Sequence, residues 1–161
     1  MNFIKRKFIP YGRQDISLRD IYSVFKVLKR DLITQGPEIE SFEKEISREV
    51  NSKFAIAVNS ATSALHISCI ALGLRENDII YTSAITFVAS ANCGRFCGAK
   101  VEFLDIEPKT GLIDINKLEH KLQKASKENK LPKIIIPVHL GGASCDMKGL
   151  YSLKQKFGFK I

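Results

Sequence analysis

Apolar residues recur at helical spacing through the first fifty positions. Leu18, Ile21, Phe25, Leu28 and Leu32 share one face of a 3.6-residue repeat. Ser17 and Asp20 ahead of them resemble a capping box, with Asp in place of the usual Glu. Thr34-Gln35-Gly36 breaks the pattern. Pro37 then suits the first turn of a second helix, with Ile39, Phe42, Ile46 and Val50 on its apolar face. From Phe54 onward, short apolar runs alternate with longer periodic stretches. FAIAV (54–58), DIIYT (78–82), KVEFL (100–104) and KIIIPV (133–138) read as buried strands, and FKI (159–161) as the start of a fifth. Between them, 61–72 and 87–97 read as helices closed by Gly73 and Gly98. A further helix opens at Asp114 with Ile115, Leu118 and Leu122 on one face, and another covers 146–157.

Strands alternating with helices of this length predict an α/β fold, a mainly parallel sheet with helices on both faces. Ligands of such sheets sit at the carboxyl ends of the strands. That selects Asn59–Ser63, Ser83–Phe87, Asp105 and His139–Gly142. The expected organisation is an N-terminal arm over 1–13 followed by one α/β portion over 14–161. Ile161 falls inside an apparent strand, so the expectation is an incomplete domain.

Composition changes this picture little. With 161 residues, 45% hydrophobic and 26% charged, the chain is an ordinary globular one, and disorder is not expected. No apolar run is long enough to span a bilayer, and the basic N-terminus lacks the apolar core of a signal peptide. A cytoplasmic protein is the expectation. The net charge of +8 is uneven. Residues 1–30 carry eight Lys/Arg against two Asp/Glu, and 117–161 carry ten against three, while the segment between carries seven against twelve. Basic ends attract nucleic acid or phosphorylated metabolites, but lysine-rich runs usually face water, and no DNA-binding motif is present. No nucleic-acid and no membrane partner is expected.

The four cysteines form no CxxC pair, and no Cys/His cluster has zinc spacing, so no metal site is expected and the thiols read as small buried apolar groups. Asn59-Ser60-Ala61-Thr62-Ser63 joins a strand to a helix. Small residues and free helix N–H groups make it a phosphate cradle or, more simply, a helix cap. It carries neither GxGxxG nor a P-loop. Phe87 opens a helix after a strand, and is either a stacking ring for a planar cofactor or a core phenylalanine. His139, ahead of Leu140-Gly141-Gly142, is a candidate hydrogen-bond donor or base. No GxSxG elbow accompanies it, which argues against a serine hydrolase. His66 reads as packed among apolar residues and His120 as solvated.

The ordered series TQGPEIESFE (34–43), VNSATSALH (58–66), ALGL (71–74), TSAITFVAS (82–90), FLDIEPKTG (103–111) and IIPVHLGGASCDM (135–147) resembles the N-terminal part of the DegT/StrS-type nucleotide-sugar aminotransferases. The nearest subgroup is that acting on UDP-linked 4-keto-6-deoxy-N-acetylhexosamines. The resemblance implies the aspartate-aminotransferase-like fold, fold type I of the pyridoxal 5′-phosphate (PLP) enzymes, with 14–161 expected to be the N-terminal portion of its PLP-binding large domain and the remainder of that domain and the C-terminal small domain expected to be absent. It implies that Ser60, Ala61 and Thr62 hold the PLP phosphate, that Phe87 stacks on the pyridine ring, and that Thr34, Gly36 and His139 lie on the substrate side. Asp105 and Asp146 match family positions read as structural.

The same resemblance places the pyridine-pairing aspartate and the Schiff-base lysine beyond Ile161, so no catalytic residue is assigned within this chain. It implies transfer of an amino group, from L-glutamate, to a keto-sugar nucleotide by a homodimer. The chain alone is expected to be a truncated, inactive form, unless a complementing C-terminal polypeptide supplies the rest. The alternatives are a sugar dehydratase on the same fold and a non-catalytic binding or remnant protein.

Overall fold

The computed structural model describes residues 8, 10 and 12–161, so the arm expected over 1–13 lies largely outside it. The chain forms two compact units, Met1–Ala57 and Val58–Ile161.

The first unit holds α1 (Leu18–Leu28) and α2 (Pro37–Glu49). The capping box forms as expected. The Ser17 amide donates to Asp20 Oδ2 at 2.7 Å, and the Asp20 amide donates back to Ser17 Oγ at 3.4 Å. Two of the four orphan N–H groups at the start of the helix are thereby satisfied. Helix α1 stops at Leu28 with Lys29 as C-cap, so Leu32 lies past the helix rather than on its face. Gly36 is the N-cap of α2, with Pro37 at the first helical position, where the missing N–H costs nothing. Neither helix contains a buried residue.

The segment 54–58 is the clearest departure from expectation. It is not a strand, and Phe54, Ile56 and Val58 are exposed. An apolar run supplies the propensity for a strand, but a strand exists only as part of a ladder. No neighbouring strand pairs with it among the described residues. The Ala57 amide instead donates to Glu43 Oε1 at 2.8 Å.

The second unit is the α/β portion. It contains α3 (Ala61–Ala71), β1 (Ile79–Ser83), α4 (Ala89–Phe96), β2 (Lys100–Leu104), α5 (Ile115–Lys127), β3 (Ile134–Ile136) and α6 (Met147–Phe157). The sheet order is β2-β1-β3, with both pairings parallel. Lys160 adds a parallel bridge beside Ile134, in agreement with the fifth-strand reading. β3 is shorter than the expected 133–138, because Pro137 has no N–H to continue the ladder.

Side chains alternate across β1 and build two cores. Tyr81 packs with Leu118 and Leu122 of α5 and Leu150 and Leu153 of α6, whereas Ile80 packs with Cys69 of α3 and Cys93 of α4. The sheet is therefore covered on both faces, as the sequence pattern predicts. Gly73, Gly98 and Gly158 close α3, α4 and α6 in the left-handed region that only glycine adopts without strain. Cys69, Cys93 and Cys145 are buried and Cys97 is half-buried. Burial pushes the Cys69 thiol up to about 12, which leaves it unreactive at neutral pH.

Candidate functional site

Helix α3 begins at Ser60, whose hydroxyl accepts the Ser63 amide at 3.1 Å. Ser63 Oγ donates to Asn59 Oδ1 at 2.7 Å and lies 3.0 Å from Ser60 Oγ. The first helical carbonyl partner is taken by the Ala64 amide, which donates to Ser60 O. That leaves the amides of Ala61 and Thr62 with no hydrogen-bond acceptor among the described residues. Ser60 caps the helix, and the cap still leaves two adjacent N–H donors at the positive end of the helix dipole. No acidic residue lies in the first turn to compete with an anion.

Phe87 sits between β1 and α4 and is 75% exposed. It is not a core residue, and its ring faces are free to stack. Beneath it, Thr86 Oγ1 donates to Ser90 Oγ at 2.8 Å and fixes the turn that carries it. Thr82 Oγ1 donates to Ile136 O at 3.0 Å, tying the end of β1 to β3. Ser83, the last residue of β1, is 1% exposed, and its hydroxyl has no partner among the described residues. Sequence reasoning named the segment but not this orphan. The available signal was the pair of small hydroxyl residues, Thr82 and Ser83, at the end of a buried strand.

His139 follows β3 and is exposed. Its Nδ1 accepts the Cys145 amide at 3.0 Å across the Leu140–Gly142 turn. Asp146 caps α6, accepting the Gly149 amide at 3.0 Å. Asp105 pairs with Lys117 and accepts the Ile106 amide at 2.9 Å. Lys117 first, and that amide second, hold the Asp105 carboxyl below its ordinary range. These are structural duties, in line with expectation. His66 stacks edge-on against Phe96 at 5.3 Å, and His120 is exposed.

Ser60, Ala61, Thr62, Phe87 and His139 all lie in the second unit: the first three at the start of α3, Phe87 between β1 and α4, and His139 after β3. Thr34 and Gly36 lie in the first unit, in the bend before α2. Gln35 between them adopts φ 52°, a left-handed conformation that shapes the bend. Among the described residues no His, Cys, Asp and Glu cluster could hold a metal ion, and no helix is long and apolar enough to cross a membrane.

The chain matches the DegT/DnrJ/EryC1/StrS aminotransferase family over residues 14–161, and it belongs to that family. It is 38% identical over 153 residues to the UDP-4-amino-4,6-dideoxy-N-acetyl-beta-L-altrosamine transaminase of Campylobacter jejuni subsp. jejuni serotype O:23/36, covering 95% of this chain and 39% of that protein. It is 36% identical over 157 residues to the spore coat polysaccharide biosynthesis protein SpsC of Bacillus subtilis, covering 98% of this chain and 39% of that one. The fold superposes on NtdA from Bacillus subtilis with bound cofactor PMP at a TM-score of 0.77, with 29% identity, over 91% of this chain and 33% of NtdA. The fold is thus that of the fold type I aminotransferases, as expected. The chain spans about 39% of the length of the curated relatives it matches.

Proposed function

We propose that this chain forms the cofactor-cradling part of a nucleotide-sugar aminotransferase of amino-sugar biosynthesis, which uses PLP to move an amino group from L-glutamate to a keto-sugar nucleotide. The carrying observation is the pair of unengaged amides, Ala61 and Thr62, at the start of α3 in a chain of this family. A phosphate dianion fits that donor set, since its oxygens accept several N–H groups and its charge meets the helix dipole. The Ser60 hydroxyl adds a third donor when it turns from Ser63. Bound there, PLP supplies an electron-accepting ring and a carbon on which an amino group can be carried. Phe87 offers a ring face, and Thr34, Gly36 and His139 serve the substrate side. No proton-transfer step is assigned to residues 1–161, because the family resemblance places the lysine and the pyridine-pairing aspartate later in sequence. The working form is a homodimer, or an assembly with a polypeptide carrying those groups, in the cytoplasm.

Ala61→Pro tests the cradle. Proline removes one N–H at the first helical position, where helices accept it. Ser60 already has the extended backbone that a following proline requires, with φ −162° and ψ 156°. Losing one charge-assisted hydrogen bond weakens PLP binding about ten-fold. The far-UV circular dichroism stays unchanged. If PLP stabilises the protein against heat equally well with and without the substitution, or not at all, the cradle is wrong.

A further inference from the structure

We propose that His139 is oriented through Nδ1 with a proton on Nε2, and that this N–H is offered to an acceptor oxygen of the ligand bound at the carboxyl end of β3. The inference rests on the cofactor-site reading above and adds to it a fixed donor with a defined tautomer.

The tautomer follows from one hydrogen bond. The Cys145 amide donates to His139 Nδ1 at 3.0 Å. A backbone amide can only donate, so Nδ1 must present its lone pair, and the ring proton sits on Nε2. The donor cannot drift, because Cys145 is anchored on both sides. Its side chain is 4% exposed in the core beneath, and its Sγ donates to Val138 O at 3.2 Å. The intervening turn is closed by the Gly142 amide to His139 O at 3.1 Å and the Ala143 amide to Leu140 O at 3.1 Å. Gly141 and Gly142 take φ 62° and 86°, which lets six residues return to the same imidazole.

The other ring nitrogen is unspent. Nε2 has no hydrogen-bond partner among the described residues, and the imidazole is exposed. It lines a groove of about 270 Å³ together with Ile136 and Pro137 of its own strand end and Leu65 and Ser68 of α3. Helix α3 is the element whose first turn carries the unengaged amides. A donor whose ring is pinned through its far nitrogen is oriented before the ligand arrives, so little ordering is needed on binding. The acceptor is a phosphate or carbonyl oxygen, and it belongs either to the cofactor or to the sugar nucleotide.

Two substitutions separate the staple from the donor. In His139→Asn the amide oxygen falls near the Nδ1 position and keeps the Cys145 contact, but nothing reaches where Nε2 was. In His139→Gln the terminal amide reaches the Nε2 position and the staple is lost. The first readout needs no ligand. Long-range proton–nitrogen NMR of the labelled protein is expected to show His139 as the Nε2–H tautomer. The Nδ1–H tautomer overturns the proposal.

The second readout adds PLP and UDP-N-acetylglucosamine in separate titrations. The expected result is a shift of the His139 Nε2 signal with one of them, which identifies the source of the acceptor. Binding of that probe weakens about ten-fold in His139→Asn, while the protein keeps its fold. His139→Gln recovers part of the lost affinity. If PLP binds and the Nε2 signal moves with neither probe, or if His139→Asn binds as tightly as the parent, the donor role is wrong and the cradle stands. If neither probe binds, the cofactor-site reading fails and takes the donor role with it.

Discussion

Helices α1 and α5 are written in the same sequence language and meet different surroundings. Each opens on a side-chain cap, Ser17 for α1 and Asp114 for α5. Each spaces its apolar residues three and four apart. Yet Leu118 and Leu122 of α5 are fully buried, while Leu18, Ile21, Phe25 and Leu28 of α1 are all more than half exposed. Every buried apolar side chain among the described residues lies between Cys69 and Phe159. The difference lies opposite the helix rather than in it. Helix α5 meets Tyr81 and Ile135 on a three-stranded sheet, whereas α1 buries its apolar face against nothing described. Amphipathic spacing therefore specifies a helix and nominates a face. Only the presence of a second layer turns that face into a core.

The largest effect expected from this contrast is on stability. Leu118→Ala leaves a cavity under the sheet and costs about 2–5 kcal/mol. Phe25→Ala removes a larger side chain from a more exposed site and changes stability by about 0.5 kcal/mol or less. Urea unfolding of the two variants measures both. Equal losses would break the comparison, because they would mean that α1 is packed as deeply as α5 in solution.

The same distinction explains what was legible in the sequence. The helices could be read because local spacing is enough to mark them, and the three paired strands because each has its neighbour close by in the second unit. The 54–58 run has the composition of a strand, and nothing in composition tells whether a neighbouring strand exists. The truncation of β3 was legible in hindsight, since Pro137 stood in the proposed strand. The site divides along the same line. Ser60 to Thr62 and Phe87 stood out because the change from a short apolar run to helical spacing marks where a helix begins, whether or not the run becomes a strand. The contact between His139 and Cys145 and the orphan hydroxyl of Ser83 did not. One depends on how a glycine turn closes, and the other on which groups fail to arrive beside a buried atom.

A smaller effect sharpens the comparison at the helix caps. Asp114 accepts the Asn116 and Lys117 amides at 3.0 and 3.1 Å, and Asp114→Ala costs about 1 kcal/mol. Because α5 packs on the sheet, that loss appears in the global unfolding of the second unit. Ser17→Ala removes a cap of similar strength, but its cost appears only as faster amide exchange over 18–28. Hydrogen exchange read alongside urea unfolding checks both. A fall in the global midpoint on Ser17→Ala would show that the two units unfold together.

The smallest effect is the pH response of one carboxylate in each unit. Lys133 Nζ donates to Asp78 Oδ2 at 2.7 Å, and the Arg75 amide donates to the same oxygen at 2.7 Å. The lysine contact first of all holds the Asp78 carboxyl below its ordinary range. In the first unit, the Ser17 amide does the same for Asp20. A carboxylate whose folded pKa is depressed stabilises the fold at neutral pH, and that contribution is lost as the pH falls through the lowered value. Asp78→Asn should therefore cost at most about 1 kcal/mol at neutral pH, the range of partly exposed ion pairs. It should also flatten the acid limb of the stability curve, from about pH 5 downward. Asp20→Asn should leave that global limb unchanged and flatten only the acid dependence of amide exchange in α1. An acid limb that responds equally to both substitutions would show that the capping box of α1 is coupled to the sheet, and that the exposed face of the first unit is covered in solution.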